Sequence, residues 1–167
     1  PYDEFGSTVS ISGDTAIVGA PSDGFQDGLA YGSAYIFRFD GSKWVEEAKL
    51  RASDGENDLF GANVSISNNE EDGETVVIGS YRDDDNGSNS GSAYIYRFDG
   101  KQWVEEAKLL ASDGANNDWF GKRVSISGNT ALIGASEDSN NNGSGSGSAY
   151  IFRFNGSTWE EEAKLLA

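Results

Sequence analysis

The sequence contains no cysteine, no histidine and no methionine. Without cysteine there is neither a disulfide nor a thiolate metal site, and the redox compartment is left open. Without histidine or cysteine, the common nucleophile–base pairs of hydrolases cannot be built, and no enzyme activity is expected. The missing initiator methionine carries the expectation of a processed chain or a piece of a longer one. Proline is scarce, at 2 residues in 167. Basic residues are few as well: 12 Lys and Arg stand against 28 Asp and Glu, a net charge of −16. So acidic a surface repels phosphate backbones and anionic headgroups, which argues against nucleic acid as a partner. No apolar run approaches the roughly 20 residues of a membrane-spanning helix, so membrane insertion is not expected.

What the chain does have is glycine, at 22 residues, and aromatic side chains, at 12%. Glycine mixed with β-branched and aromatic residues points to short strands joined by tight turns. The order of those strands is given by an internal repeat, which decides the architecture. Phe5-Gly6, Phe60-Gly61 and Phe120-Gly121 each open a copy, and the copies run over about 5–52, 60–111 and 120–167. The first and third align without a gap; the middle one carries five extra residues around Asn68–Glu74.

Each copy holds four strand patterns. In the first copy they fall near 8–12, 15–20, 33–39 and 43–51, and the others repeat them. The first alternates (Val9, Ile11), the second is continuously apolar, the third is aromatic and the fourth begins at Trp44, Trp103 or Trp159. Asp40-Gly41, Asp99-Gly100 and Asn155-Gly156 separate strands three and four, a strong hairpin signal because a type I′ turn needs positive φ at both central residues. A strand apolar on both sides must be covered on both faces, and radial stacking of four-stranded sheets does this. The expected fold is therefore all-β: three four-stranded antiparallel sheets forming β-propeller blades of one repeat domain, 1–167, as an incomplete ring or half of a six-bladed propeller.

Phe-Gly, then an apolar strand, then Ile17-Val18-Gly19-Ala20-Pro21 resembles the FG-GAP repeat of integrin α-subunit propellers and their bacterial relatives. Ile78-Gly79-Ser80 and Ile133-Gly134-Ala135 match it less fully. The resemblance implies a non-enzymatic, extracellular or cell-surface module for adhesion, scaffolding or self-assembly. A lectin or a calcium-binding structural module are the alternatives. The family's acidic calcium cage precedes the Val-Gly-Ala-Pro strand, but here that loop is cut to Ser12-Gly13-Asp14-Thr15 and Ser127-Gly128-Asn129-Thr130. Those loops offer too few oxygens for a six- to eight-coordinate ion. Only the middle copy keeps length there.

In a meander, the loop between strands two and three shares an end of the sheet with the connection to the next copy. Those long loops hold the candidate metal ligands Asp54, Glu56 and Asp58, then Asp83, Asp84, Asp85 and Asn86. Calcium is the one cofactor these residues could hold, since alternate carboxylates can aim at one hard cation. Turn chemistry accounts for the same residues, because Asp and Asn bond their own backbone. Three loop aromatics differ between copies, Trp119, Tyr81 and Phe25, and are the candidates for stacking a protein or glycan ligand. Trp44, Trp103 and Trp159 recur and are expected between blades. Glu46-Glu47, Glu105-Glu106 and Glu161-Glu162 recur on the outer strand, where charge discourages edge-to-edge pairing.

Propellers close with roughly four to eight blades, and this chain has three. Its end faces, expected to carry Val18, Ile36, Phe152 and Leu165, call for a partner. That partner is a second copy packed blade to blade, or further blades of a longer parent chain.

Overall fold

The computed structural model describes residues 2–24, 30–54, 58–69 and 73–166. They contain twelve strands. The first sheet is β1 (Thr8–Ser12), β2 (Thr15–Ala20), β3 (Ser33–Phe39) and β4 (Trp44–Leu50). The second is β5 (Asn63–Asn69), β6 (Gly73–Ser80), β7 (Ser92–Phe98) and β8 (Trp103–Leu109). The third is β9 (Phe120–Ser127), β10 (Thr130–Ala135), β11 (Ser148–Phe154) and β12 (Trp159–Leu165). Each sheet is an antiparallel meander in chain order, as the alternation and the Asp-Gly and Asn-Gly turns require. The sheets are propeller blades and the ring is not closed.

Two cores lie between blades. In the first, Ile17, Ala34, Ile36 and Leu50 of blade one meet Phe60, Val64, Ile66, Val76, Ile78, Tyr94 and Trp103 of blade two. In the second, Val77, Ala93, Ile95 and Leu109 of blade two meet Phe120, Ile126, Ala131, Ile133, Tyr150 and Phe152 of blade three. Each blade therefore has a forward face, which packs against the next blade, and a backward face, which packs against the one before. The strand period of two sorts the side chains between them. This corrects the reading of the end faces. Val18 and Leu165 do lie on free faces, but Ile36 points forward into blade two and Phe152 points backward into blade two, so both are buried.

The repeat motif has a packing role. Gly61 lies on Gly19: a Cβ on Gly19 would stand 2.1 Å from the Gly61 carbonyl oxygen. Gly121 lies on Gly79 in the same way, at 1.9 Å. Gly32 and Phe60 form a parallel bridge, and so do Gly91 and Phe120. The Phe-Gly of one blade thus sits directly on the Gly-Ala or Gly-Ser corner of the blade before it, where only glycine lets two backbones approach so closely. The buried ring beside it packs edge-on against the tyrosine of its own third strand, Phe60 on Tyr94 and Phe120 on Tyr150, with centroids 5.3 Å apart in both.

A bulge in the outer strand gives the paired glutamates a second role. The register of β3 against β4 slips between Ile36 and Phe37, leaving Glu47 as the extra residue. The same slip recurs in the other two blades. Alternation turns the two adjacent acids to opposite faces, and the bulge keeps Glu47 on the forward face beside Ala48. Glu105 reaches backward and accepts from Ser53 of blade one, 3.0 Å, and from Tyr96, 2.8 Å. Glu106 reaches forward and accepts from the Trp159 indole of blade three, 2.8 Å, while pairing with Arg97, 2.7 Å. Glu47 likewise accepts from the Trp103 indole, 3.1 Å. Beyond charging an edge, these acids join blade to blade.

Candidate functional site

The end of the propeller that carries the long loops is built the same way in each blade. An Asp at the start of the loop after strand two, Asp23, Asp83 or Asp138, is buried. It accepts the hydroxyl of the first residue of strand three, Ser33, Ser92 or Ser148. The tyrosine two residues on and the lysine near the end of strand four point to the same spot, because alternate positions share a face. The connection from the preceding blade then delivers one more acid, Asp54 to blade two and Asp113 to blade three.

In blade two the result is one ammonium among three carboxylates. Lys108 Nζ lies 2.7 Å from Asp54, 2.7 Å from Asp83 and 2.7 Å from Asp85. The Tyr94 hydroxyl donates to Asp54, 2.6 Å, and to Asp83, 3.1 Å. Blade three repeats the pattern with Lys164 on Asp113, 2.7 Å, and Asp138, 2.8 Å. Blade one has Lys49 on Asp23. Burial pushes the Asp54 carboxyl up, but bonds from Lys108 and Tyr94 outweigh it and hold the acid below its usual range. Burial likewise opposes Lys108, yet three carboxylates raise its affinity for the proton well above normal. Burial is also the largest influence on Asp23 and raises it, but Lys49, Ser33 and Tyr35 together bring it down to about 2. Asp118 goes the other way: burial, then the Asp138 and Asp113 carboxylates, raise it despite a bond from the Ala115 amide.

Of the predicted cation ligands, Asp54, Asp83 and Asp85 come together, with one oxygen of each within 4.8 Å of the others. Asp58 and Asp84 line the same recess. Asp84 accepts from the Asn89 amide, 2.6 Å, and Asn86 faces away, donating to the Ala111 carbonyl, 3.2 Å. Glu56 lies outside the described residues. Hard cations of calcium's kind take six to eight oxygens. Here the point nearest three of the carboxylates holds a lysine ammonium, so the residues do not fit that coordination as they stand. In the middle-copy insertion, Glu74 is drawn into a different contact: Arg38 of blade one clasps both its oxygens, at 3.0 and 2.6 Å, and lies over Phe98. Glu70, Glu71 and Asp72 of that insertion lie outside the described residues.

The candidate stacking residues Tyr81 and Trp119 do meet, with centroids 5.9 Å apart and an edge-on angle of 64°. Lys122 covers a face of Trp119 at 3.9 Å, so this ring already has a cation as its partner. Trp119 also occupies a corner shared by all copies: Glu4, Leu59 and Trp119 have φ of 54°, 56° and 57°. Phe25 lies outside the described residues. Sequence reasoning missed the lysines altogether. The signal was present in the recurrence of Lys49, Lys108 and Lys164 five residues after the strand-four tryptophan, among so few bases.

The model of the FG-GAP repeat matches residues 1–37, 44–96 and 103–152, most of the chain. The chain belongs to the FG-GAP repeat family. The second and third matches begin at the strand-four tryptophans, Trp44 and Trp103, so each spans a blade boundary. This is the contact in which the FG-GAP residues are used. No curated protein matches the chain. Among solved structures it is similar to the crystal structure of Saccharomyces cerevisiae Sqt1, a β-propeller, at 12% identity and a TM-score of 0.56. The match covers 98% of this FG-GAP chain and 35% of Sqt1, so the chain spans about a third of that protein's length. At this identity the likeness speaks for the fold alone.

The ionic clusters make acid stability testable. Asp23 has a folded value near 2 against an ordinary 3.8. A depressed carboxyl contributes stability that is present above its unfolded value and lost as pH falls toward its folded one. Asp54, Asp113 and Glu74 shift in the same direction. Asp118, shifted upward, opposes them, losing its penalty when protonated. Four partly buried groups against one predict a melting temperature that drops steeply between pH 4 and pH 2. Thermal melts across that range check it, and a flat profile contradicts it.

Proposed function

We propose that this FG-GAP chain is a non-enzymatic propeller module, working outside the cell or on its surface, that acts by holding protein surfaces together in adhesion, scaffolding or assembly. The observation behind this reading is where the recurring polar groups go. Trp103, Trp159, Glu47, Glu105, Glu106 and Arg38 all bond across a blade boundary. Lys108 and Lys164 join an acid of their own blade to one from the preceding connection. The side chains that repeat are thus used for cohesion, and the loops that vary are left to the surface, which is where binding usually lies on a rigid scaffold. Among the described residues, no helix is long and apolar enough to cross a membrane. An antibody against the folded chain is expected to label intact cells of its source. Labelling that appears only after the cells are permeabilised would overturn the surface assignment.

The calcium reading has one observation in its favour, the convergence of Asp54, Asp83 and Asp85. Under the proposal, Lys108 takes the cation's place and the cluster is structural. Titrating calcium to millimolar concentration then leaves the melting temperature unchanged, whereas a ligand that bound the native state would raise it by mass action.

A further inference from the structure

Three Asn-Gly pairs stand in the loops of the chain: Asn86-Gly87, Asn142-Gly143 and Asn155-Gly156. Such a pair can react with itself. The glycine amide nitrogen attacks Cγ of the asparagine side chain, and the absence of a Cβ on glycine leaves the approach open. The three pairs differ in what holds the attacking nitrogen. The Gly87 amide donates to the Asp84 carbonyl, 3.0 Å, and the Gly143 amide donates to the Asn140 carbonyl, 3.0 Å. Asn86 is further fixed by its bond to the Ala111 carbonyl, 3.2 Å. The Gly156 amide has no hydrogen-bond partner among the described residues.

Asn155 opens the turn between β11 and β12. Its Oδ1 accepts from the Ser157 amide, 3.0 Å, the Ser157 hydroxyl, 2.9 Å, and the Thr158 amide, 3.0 Å. Donors so placed stabilise the charge that develops on Oδ1 when a nucleophile adds to Cγ. The other two blades carry Asp40 and Asp99 at the same place. Asp40 accepts from the amides of Ser42, 2.9 Å, and Lys43, 3.0 Å, and Asp99 from those of Lys101, 2.8 Å, and Gln102, 2.9 Å. An aspartate is thus a residue that this turn already holds twice. The Ser42 hydroxyl, with the Lys43 and Ser42 amides, keeps the Asp40 carboxyl below its usual range. An ionised carboxylate is a poor target for a nucleophile, so an aspartate in this turn resists the attack that an asparagine invites. Blade three differs in one more respect. Asn155 Nδ2 donates to Glu160, 2.8 Å, where the other blades have Val45 and Val104.

We infer that Asn155 is a site of spontaneous modification, its amide being replaced by a carboxylate through attack of the Gly156 nitrogen and hydrolysis by water. A bond forms between that nitrogen and Cγ, and the bond from Cγ to Nδ2 breaks. The proton of the Gly156 amide goes to the departing Nδ2, which leaves as ammonia. Water then opens the five-membered imide. Opening at Cγ gives aspartate, and opening at the backbone carbonyl gives its isomer with the chain routed through the side chain. One water is consumed, one ammonia is released and nothing is oxidised or reduced. Each product carries a new negative charge beside Glu160, so a hydrogen bond across the outer hairpin becomes a repulsion. This chemistry goes beyond the adhesion or scaffolding reading and does not depend on it.

The test uses the whole chain, incubated folded in mildly alkaline buffer, then digested and read by mass spectrometry at each of the three pairs. Asn155 is expected to convert at least about tenfold faster than Asn86 or Asn142. A parallel incubation in urea separates the fold from the sequence. There the three pairs are expected to convert at similar rates, because each is the same dipeptide followed by serine. Asn155→Asp supplies the product standard. It is expected to keep the native far-ultraviolet spectrum, as the aspartates of the other two turns imply, and its digest should contain a peptide that co-elutes with one of the two products. Asn86 or Asn142 converting as fast as Asn155 in the folded chain would overturn the inference. So would an Asn155 that stays intact when folded and converts only in urea.

Discussion

Gly79→Ala is expected to destabilise the chain by about 3 kcal/mol or more and to uncouple blade three from blade two. The added Cβ would stand 1.9 Å from the Gly121 carbonyl oxygen and 2.9 Å from its carbon. Both are backbone atoms, so nothing can rotate away and the two sheets must part. Parting them opens the second core, where Phe120, Ile133 and Tyr150 are fully buried against Val77 and Ile95. The expected thermal transition is lower and broader, with blade three exchanging its amides ahead of the rest. Gly134→Ala serves as the internal control, because a Cβ at the equivalent corner of blade three meets nothing closer than Arg123, at 3.5 Å. Equal losses from the two substitutions would contradict this account of the Phe-Gly contact.

Lys108→Met is expected to cost about 3 kcal/mol and to create a dependence on calcium that the native chain lacks. The substitution keeps most of the apolar stem and removes the ammonium from three carboxylates, one of them the almost fully buried Asp83. Removing one partner of a buried ion pair leaves uncompensated charge and typically costs about 3–5 kcal/mol; two of the acids here are partly exposed, which places the effect at the lower end. The three acids then repel one another, with one oxygen of each within 4.8 Å of the others, and a divalent cation relieves that repulsion. Thermal melts with and without millimolar calcium read both effects at once. A native chain stabilised by calcium as much as the variant would show that the lysine does not stand in for a cation.

Much of the fold was legible because the repeat supplied three readings of one pattern. The four strands of each copy, their order and the hairpin turns follow from alternation and from Asp-Gly or Asn-Gly chemistry. The assignment of side chains to faces was less secure. Ile36 and Phe152 were placed on free ends, yet both face blade two, because alternation tells which residues share a face and not which neighbour that face meets. The bulge at Glu47 was invisible for a related reason: it changes the face of one residue without changing composition. At the candidate site the acids stood out and their grouping across two loops was read from the meander. The lysine that organises them was passed over, because it lies on a strand rather than in a loop. Its nearness to Asp54 depends on how consecutive blades stack.

The central claim is that the Phe-Gly corner of each following blade closes on the blade before it, at two boundaries inside the chain. Hydrogen exchange at three equivalent amides tests it most directly. Ile66 donates to Ser10, 3.2 Å, and Ile126 donates to Ser65, 3.2 Å, both across a blade boundary. Ile11 is the counterpart on blade one, and it is exposed. The account predicts that Ile66 and Ile126 are protected orders of magnitude more than Ile11 in this chain, and that Gly79→Ala removes the protection of Ile126. Ile66 and Ile126 amides that exchange as fast as that of Ile11 would contradict it.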